Sequence, residues 1–164
     1  MKVRKYMSSP ALTVKADADY RLAFDVMRAK RVHHLPIVDA NGRLVGIVAQ
    51  RDMIMAATHY QNAAVEMAEV MRRPVISIGP DMPIVEAAQL MMNRQIGCLP
   101  VVDEKLAVTG IITESDLFAV FVRLLSRSPA QRVRGPKSPA RGKAAKKSSG
   151  TAARKVAKRR PARR

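Results

Sequence analysis

The stretch LPVVDEKLAVTGIITESDLF at residues 99–118 repeats, with changes, the stretch LPIVDANGRLVGIVAQRDMI at residues 35–54. The same offset of 64 residues aligns residues 7–54 with residues 71–118 without a gap, and 12 of these 48 positions are identical. The identical residues of the first copy are Met7, Pro10, Asp17, Ala23, Met27, Leu35, Pro36, Val38, Asp39, Gly46, Ile47 and Asp52. A repeat of this length predicts two copies of one supersecondary block that pack on each other, because each alone would expose an apolar face.

The charge of the 164-residue chain is concentrated at its C-terminal end. Fifteen of the 30 lysines and arginines lie in residues 127–164, which contain no Asp or Glu, so this segment carries +15 and residues 1–126 carry +2. Residues 127–164, which we call the basic tail, are mainly Ala, Lys, Arg, Pro, Ser and Gly and lack aromatic residues. Such a segment cannot bury enough apolar area to offset the loss of chain entropy, so it is predicted to be disordered when free.

Within each copy, the spacing of apolar and turn residues predicts the order strand, helix, strand, strand, helix. The first copy is assigned to residues 1–62 and the second to residues 63–126. Asn41-Gly42 predicts a hairpin turn in the first copy, because this pair permits positive φ. The predicted elements are strands at 11–14 and 75–78, helices at 17–30 and 83–94, hairpins at 35–49 and 99–113, and closing helices at 51–59 and 114–125.

The first helix of each copy is predicted to bury one apolar stripe, and Asp17 or Asp19 is available to cap the first of these helices. The predicted stripes are Leu22, Ala23, Val26 and Met27 in the first copy, and Val85, Ala88, Met91 and Met92 in the second.

Cysteine use and hydropathy indicate a soluble cytoplasmic protein. The single cysteine, Cys98, excludes an internal disulfide and a cysteine-based zinc site, and it fits a reducing compartment. Residues 1–10 have no apolar signal region, and no apolar run approaches the ~20 residues that span a bilayer. We therefore expect no membrane partner. We also expect no metal site, because His59 and Cys98 have no neighbouring ligands at short spacing.

The strand Leu-Pro-Ile/Val-Val-Asp and the strand end Gly-Ile-Ile/Val followed by an Asp occur in both copies, and this pattern resembles the CBS domain, named for cystathionine β-synthase. Two such domains in tandem resemble a Bateman module, here over about residues 4–125. The resemblance implies an α/β (α+β) fold in which two β-α-β-β-α repeats pack as a pseudo-two-fold pair. It also implies a homodimer, for which Met53, Ile54, Leu117 and Phe121 are the candidate contacts.

The resemblance further implies a regulatory protein that binds AMP, ADP, ATP or S-adenosylmethionine in clefts between the copies. In that family the pattern Gly-h-h-Thr/Ser-x-x-Asp (h, hydrophobic) supplies an Asp for the ribose hydroxyls and a Thr for the sugar-phosphate region. The second copy has the whole pattern, with Thr113 and Asp116. The first copy has Asp52 but carries Ala49 in place of the Thr, so its cleft lacks the hydroxyl.

His33 and His34 precede the Leu-Pro strand of the first copy, at positions where related nucleotide-binding domains often carry groups that face a phosphate. Two imidazoles, partly charged near neutral pH, can donate hydrogen bonds to phosphate oxygens. The alternative is that one histidine covers a loop and the other is solvated. The residues alone do not decide between these two interpretations.

The spacing Thr113-x-x-Asp116 at a helix start also fits a capping box, in which Thr113 caps the helix and Asp116 favours its dipole. Capping and ligand binding are compatible with each other. Asp52 recurs where the capping Thr is absent, which argues against a purely capping role.

No nucleophile with a neighbouring base and no Gly-rich phosphate loop is found, so we expect no catalytic residues and no enzyme activity.

The basic tail resembles the C-terminal tails of linker histones and of some bacterial nucleoid proteins. It is predicted to bind DNA or RNA non-specifically, because it has many cations and no aromatic residues for base stacking. This gives an alternative function, a nucleic-acid-associated protein located at the nucleoid and dimerised by the CBS pair. An acidic membrane surface and a solubility role are the rival interpretations of the tail.

Overall fold

The computed structural model of the protein describes residues 1–61 and 63–126. The predicted disorder of the basic tail at residues 127–164 lies outside the described residues. The first copy follows the predicted order of elements, and the second follows it except for its first strand, so the mixed α/β fold with two repeats is confirmed. After a 3-10 turn at Val3–Lys5, the elements are β1 (Val14–Lys15), α1 (Tyr20–Lys30), β2 (His34–Val38), β3 (Leu44–Ala49), α2 (Gln50–Tyr60), α3 (Met67–Val70), α4 (Ile84–Arg94), β4 (Cys98–Val102), β5 (Val108–Thr113) and α5 (Glu114–Ser126).

The two hairpins have the same register. β2 pairs antiparallel with β3, and His34 lies opposite Ala49; β4 pairs antiparallel with β5, and Cys98 lies opposite Thr113. Both ladders have an irregularity one residue before the end of the first strand, between Ile37 and Val38 and at the matching place in the second copy. The duplication in sequence is therefore a duplication of backbone structure.

The short first strand is where the copies differ. β1 pairs parallel with β2, whereas the predicted strand at residues 75–78 is reduced to a single bridge between Ile78 and Val101. In the first copy the ladder continues because the Ala16 N–H donates to the Val38 carbonyl at 2.9 Å. The equivalent of Ala16 is Pro80, which has no N–H to donate, so the second ladder stops one residue earlier.

The hairpin turns are held by an aspartate that both copies share. Asp39 Oδ1 accepts hydrogen bonds from two backbone N–H groups of its turn, and Asp103 Oδ1 accepts from the N–H groups of Lys105 and Ala107, both at 2.9 Å. Gly42 has φ +77°, and its counterpart Leu106 has φ +64°. The second hairpin therefore forms without an Asn-Gly pair, because Asp103 organises the turn and a non-glycine residue accepts the left-handed conformation.

The first helix of each copy buries only part of its predicted stripe: Ala23, Met27 and Met91 are buried as predicted. The buried residues are Tyr20, Ala23 and Met27 in α1 and Ile84, Ala87 and Met91 in α4, which again are 64 residues apart. Leu22, Val85 and Met92 were predicted to be buried but are exposed, Met92 by 77%. Apolar residues occupy two adjacent sides of these helices, and the sequence does not say which side faces the sheet. Asp19 caps α1 by accepting from the Arg21 N–H at 2.8 Å.

The first residues of each copy, which we call its leading segment, pack on the other copy. Val3 is fully buried in the core of the second repeat, and its N–H donates to the Met82 carbonyl at 2.9 Å. Met67 and Met71, in the leading segment of the second copy, lie in the core of the first. The packing units therefore interleave across the predicted boundary between residues 62 and 63.

Symmetric backbone bridges join the two repeats. Ser8 pairs with Ile111 in the same way that Arg72 pairs with Ile47, and both pairs are antiparallel. A third bridge joins Arg43 to its own counterpart, residue 107. A contact between equivalent residues lies on a two-fold axis, so the repeats pack as a pseudo-two-fold pair.

A glycine in the second strand of each hairpin, Gly46 in β3 and Gly110 in β5, leaves room for the leading segment of the other copy. A Cβ atom at Gly110 would lie 2.6 Å from the Met7 sulfur and 2.9 Å from the Ser8 carbonyl oxygen. At Gly46 the equivalent atom would lie 2.2 Å from the Met71 sulfur. The Gly of the repeated Gly-Ile pattern is thus required by close approach between the repeats.

Replacement of Gly110 by alanine is therefore expected to destabilise the fold by about 1 to 3 kcal/mol, because the Ser8 backbone has to shift. Gly79 is the matched control, since a Cβ atom there meets nothing within 4 Å, and Gly79→Ala is expected to change stability by less than about 0.5 kcal/mol. Urea unfolding followed by circular dichroism measures both. Equal stabilities of the two variants would contradict the proposed packing role of Gly110.

Candidate functional site

A cleft of about 490 Å³ lies between the two repeats, and we call it the first cleft. One wall is the loop that leads into β2, with His33 and His34, and the other is the junction of β5 and α5, with Thr113 and Asp116. Four of the five predicted ligand residues are thus brought together. Its lining is Ser8, Pro10, Ala11, Leu12, Arg31, Val32, His33, His34, Gly97, Ile111, Thr113, Glu114, Ser115 and Asp116.

A second cleft of about 270 Å³ contains Asp52, the fifth predicted residue. Its lining residues are His34, Ile47, Ala49, Arg51, Asp52, Arg72, Pro74, Val75, Ile76, Gln95, Ile96, Gly97, Cys98 and Pro100. Nearly all of them are the residues of the first cleft displaced by 64 positions. The two clefts are therefore symmetry equivalents that share His34 and Gly97.

In the first cleft, Thr113 and Asp116 form a reciprocal cap at the start of α5. Asp116 Oδ2 accepts from the Thr113 N–H at 2.8 Å and from the Thr113 hydroxyl at 2.7 Å. The Asp116 N–H points back to Thr113 Oγ1 over a longer 3.4 Å. Within residues 1–61 and 63–126, the other oxygen, Oδ1, accepts no hydrogen bond. The carboxylate thus caps the helix with one oxygen and retains a second for another donor.

In the second cleft, both oxygens of the carboxylate are engaged. Asp52 Oδ2 accepts from the Ala49 N–H at 2.9 Å, which caps α2 without a hydroxyl. Asp52 Oδ1 accepts from Arg72 Nε at 2.9 Å and from a terminal nitrogen of the same guanidinium at 2.5 Å. Asp52 therefore caps α2 even though the capping Thr is absent, because its carboxylate accepts directly from the backbone N–H, and its other oxygen has a second partner in Arg72.

The two histidines have different surroundings. His33 is exposed, whereas His34 is half-buried. Burial lowers the pKa of His34, and the adjacent His33 lowers it further, while Asp52 and Glu114 act in the opposite direction. The sequence analysis expected His34 to be partly charged near neutral pH. Its burial instead favours the neutral ring, because desolvation penalises the protonated form.

Cys98 and Glu114 lie near the same junction. Burial, together with the charge of Glu114, raises the pKa of the Cys98 thiol to about 12, so the sulfur remains a protonated thiol at neutral pH. In the part of the chain that the structure describes, no three His, Cys, Asp or Glu side chains cluster as metal ligands. The same residues include no helix with the length and apolarity of a membrane span.

Arginines and a serine that sequence reasoning did not select also line the clefts: Arg31 and Ser8 in the first, and Arg51 and Arg72 in the second. Ser8 and Arg72 are related by the 64-residue offset, so an alignment of the copies brings them together. The sequence alone does not show that Ser8 lies near Asp116 or Arg72 near Asp52, because the residues of each pair are far apart in the chain. The packing of each leading segment on the other copy brings them together.

The sequence profile of the CBS domain matches residues 3–59 and 67–123. The chain belongs to the CBS domain family. A CBS domain-containing protein of Dictyostelium discoideum is 30% identical over 140 residues, which cover 79% of this chain and 97% of that protein. The crystal structure of the CBS domain pair of protein MJ0100, in complex with 5'-methylthioadenosine and S-adenosyl-L-methionine, is similar with a TM-score of 0.70 and 31% identity, over 76% of this chain and 98% of that one.

CBS domain pairs also occur within longer proteins. The homoserine O-acetyltransferase of Methanococcoides burtonii is 37% identical over 115 residues, which cover 70% of this chain but only 23% of that enzyme. The CBS domain pair therefore matches a small part of this relative, and CBS pairs are generally regulatory rather than catalytic.

Proposed function

We propose that this CBS domain pair is a non-enzymatic regulatory protein that binds an adenosine-containing ligand of the AMP, ADP, ATP or S-adenosylmethionine class in its first cleft. The observation that carries the proposal is Asp116, which lines a cavity of about 490 Å³ and whose Oδ1 oxygen is unpaired among the described residues. A carboxylate oxygen of this kind accepts hydrogen bonds from the hydroxyls of a ribose. The MJ0100 pair, with adenosine compounds bound, supports this ligand class.

The charges around the first cleft favour a ligand with little negative charge. Glu114 and Asp116 bring two carboxylates, while Arg31 brings one cation. The lowered pKa of His34 reduces what that imidazole contributes to the binding of an anion. We therefore expect 5'-methylthioadenosine and S-adenosylmethionine to bind more tightly than ATP, since unlike charges attract and like charges repel.

Adenosine ligands are expected to raise the melting temperature of the full chain, and Asp116→Ala is expected to remove most of that rise. A ligand present at 100 times its Kd adds about 2.7 kcal/mol to stability, which a thermal-shift assay detects readily. A panel of AMP, ADP, ATP, S-adenosylmethionine and 5'-methylthioadenosine ranks the ligands.

The matched control is Asp19→Ala. Asp19 caps α1 by the same kind of bond but lines neither cleft, so this variant loses about 0.5 to 2 kcal/mol of stability and keeps the ligand shift. If no adenosine ligand stabilises the wild-type chain, or if both variants keep the full shift, the proposal is refuted.

A homodimer is the second part of the proposal. Phe118, Phe121, Val122 and Leu125 are all exposed, the first by 69% and the second by 57%. Their spacing places them on one stripe of α5, while Val120 of the same helix is buried in the core. A continuous apolar stripe of this size is typical of a protein interface. The prediction that Met53 contributes to the dimer contact is wrong, because this side chain is fully buried within its own repeat.

Phe121→Asp is expected to convert the dimer to a monomer, because a carboxylate in the apolar contact loses its hydration. Sedimentation velocity of the full chain measures the change in mass. Val85→Asp is the control, since Val85 is apolar and exposed but lies on α4 and is not part of the α5 stripe. A wild-type monomer, or a Phe121→Asp dimer as stable as the wild type, would refute the proposed interface.

The alternative function is non-specific binding of DNA or RNA through the basic tail, and the +15 charge of residues 127–164 is the observation that favours it. If ~6 to 10 of these cations contact phosphates, affinity is expected to fall by ~10³ to 10⁵ between 50 and 200 mM salt. Fluorescence anisotropy with labelled duplex DNA and single-stranded RNA measures this. A chain that ends at Ser126 is expected to lose the binding, and equal binding by both chains would contradict a role for the tail.

A further inference from the structure

We propose that Arg72 closes the second cleft to the ribose of an adenosine ligand, so that each chain binds one ligand, in the first cleft. This inference rests on the proposed function and concerns how the same fold supplies one open and one closed site. It follows from a comparison of the two clefts position by position.

The residues that decide the difference are Ser8 and Arg72, whose backbones are held in the same way. Ser8 exchanges two hydrogen bonds with Ile111, at 2.9 and 3.0 Å, and Arg72 exchanges two with Ile47, at 2.9 and 3.1 Å. Each residue therefore sits at the same place over its cleft. Only the side chain differs, a hydroxymethyl group in the first cleft and a guanidinium in the second.

The guanidinium of Arg72 occupies Asp52 Oδ1, the carboxylate oxygen that would otherwise accept hydrogen bonds from a ribose. It donates from two nitrogens to Asp52 Oδ1, while Oδ2 is engaged by the Ala49 N–H. The Asp52 side chain is only 11% exposed. The Arg72 side chain is 59% exposed, but hydrogen bonds between a guanidinium and a carboxylate are stronger than those from a neutral hydroxyl, so we expect a ribose not to displace Arg72. Ser8 makes no such contact with Asp116.

The shape of the second cleft agrees with this inference. Its volume is about 270 Å³, compared with about 490 Å³ for the first. Val75 replaces the smaller Ala11, and Ala49 replaces Thr113 and its hydroxyl. The second cleft thus offers less space and fewer hydrogen-bonding groups, in addition to an occupied carboxylate.

Isothermal titration of the full chain with 5'-methylthioadenosine, and in a second arm with AMP, tests the inference. The wild type is expected to bind one molecule per chain. Arg72→Ser copies the first cleft and is expected to raise the number to two. Ser8→Arg copies the second cleft and is expected to weaken binding at least tenfold. Arg73→Ser, an exposed neighbour that lines neither cleft, is the control and is expected to keep one site.

The outcomes separate this inference from the proposed function. Two molecules per wild-type chain, a single site in Arg72→Ser, or unchanged affinity in Ser8→Arg would overturn the role of Arg72 and leave ligand binding intact. If the wild type binds neither probe, the proposed function fails, and the inference fails with it. Thermal unfolding of each variant without ligand shows whether it is folded, and Ser8→Arg and Arg72→Ser test the inference independently of each other.

Discussion

The close approach of each leading segment to the hairpin of the other repeat is the contact on which the rest of the structure depends. Val3 lies fully buried in the second core and Met67 in the first, and burial of such a side chain contributes about 1.5 to 3 kcal/mol. The backbone bridges at Ile47 and Ile111 bring these segments onto the ends of β3 and β5. The glycines that precede these isoleucines permit that approach, and the clefts form beside it.

The same carboxylate position serves both folding and the candidate site. Asp52 and Asp116 each accept a backbone N–H at the start of a closing helix, which satisfies a donor that the helix itself leaves unpaired. Because a carboxylate has two oxygens, capping leaves one for a second partner. In the second cleft that partner is Arg72, and in the first the oxygen is unpaired among the described residues. Structural and binding interpretations of this residue are therefore not alternatives.

The two clefts have equivalent positions in a duplicated fold, and the side chains at those positions explain why their chemistry differs. Most equivalent positions keep their backbone geometry, including the register of both hairpins and the left-handed residue at Gly42 and Leu106. The cleft walls differ in their side chains, and Ser8 lines one cleft where Arg72 lines the other. A wall residue is free to change because it supports little of the core.

The sequence by itself determined the repeat, the order of its elements, the turns and the candidate carboxylates, because these depend on local periodicity and on residues compared at a constant offset. It also limited the cap of α1 to Asp17 or Asp19, since a cap is a contact between near neighbours, and the structure shows that Asp19 is the cap. It did not determine which side of α1 and α4 faces the sheet, nor that Pro80 shortens the second ladder. Only the tertiary structure decided that the leading segment of each copy packs on the other copy and that Arg72 pairs with Asp52. It also decided that burial lowers the pKa of His34 and so favours its neutral form. These depend on which distant residues meet and on how far water is excluded, and no local pattern in the chain encodes either one.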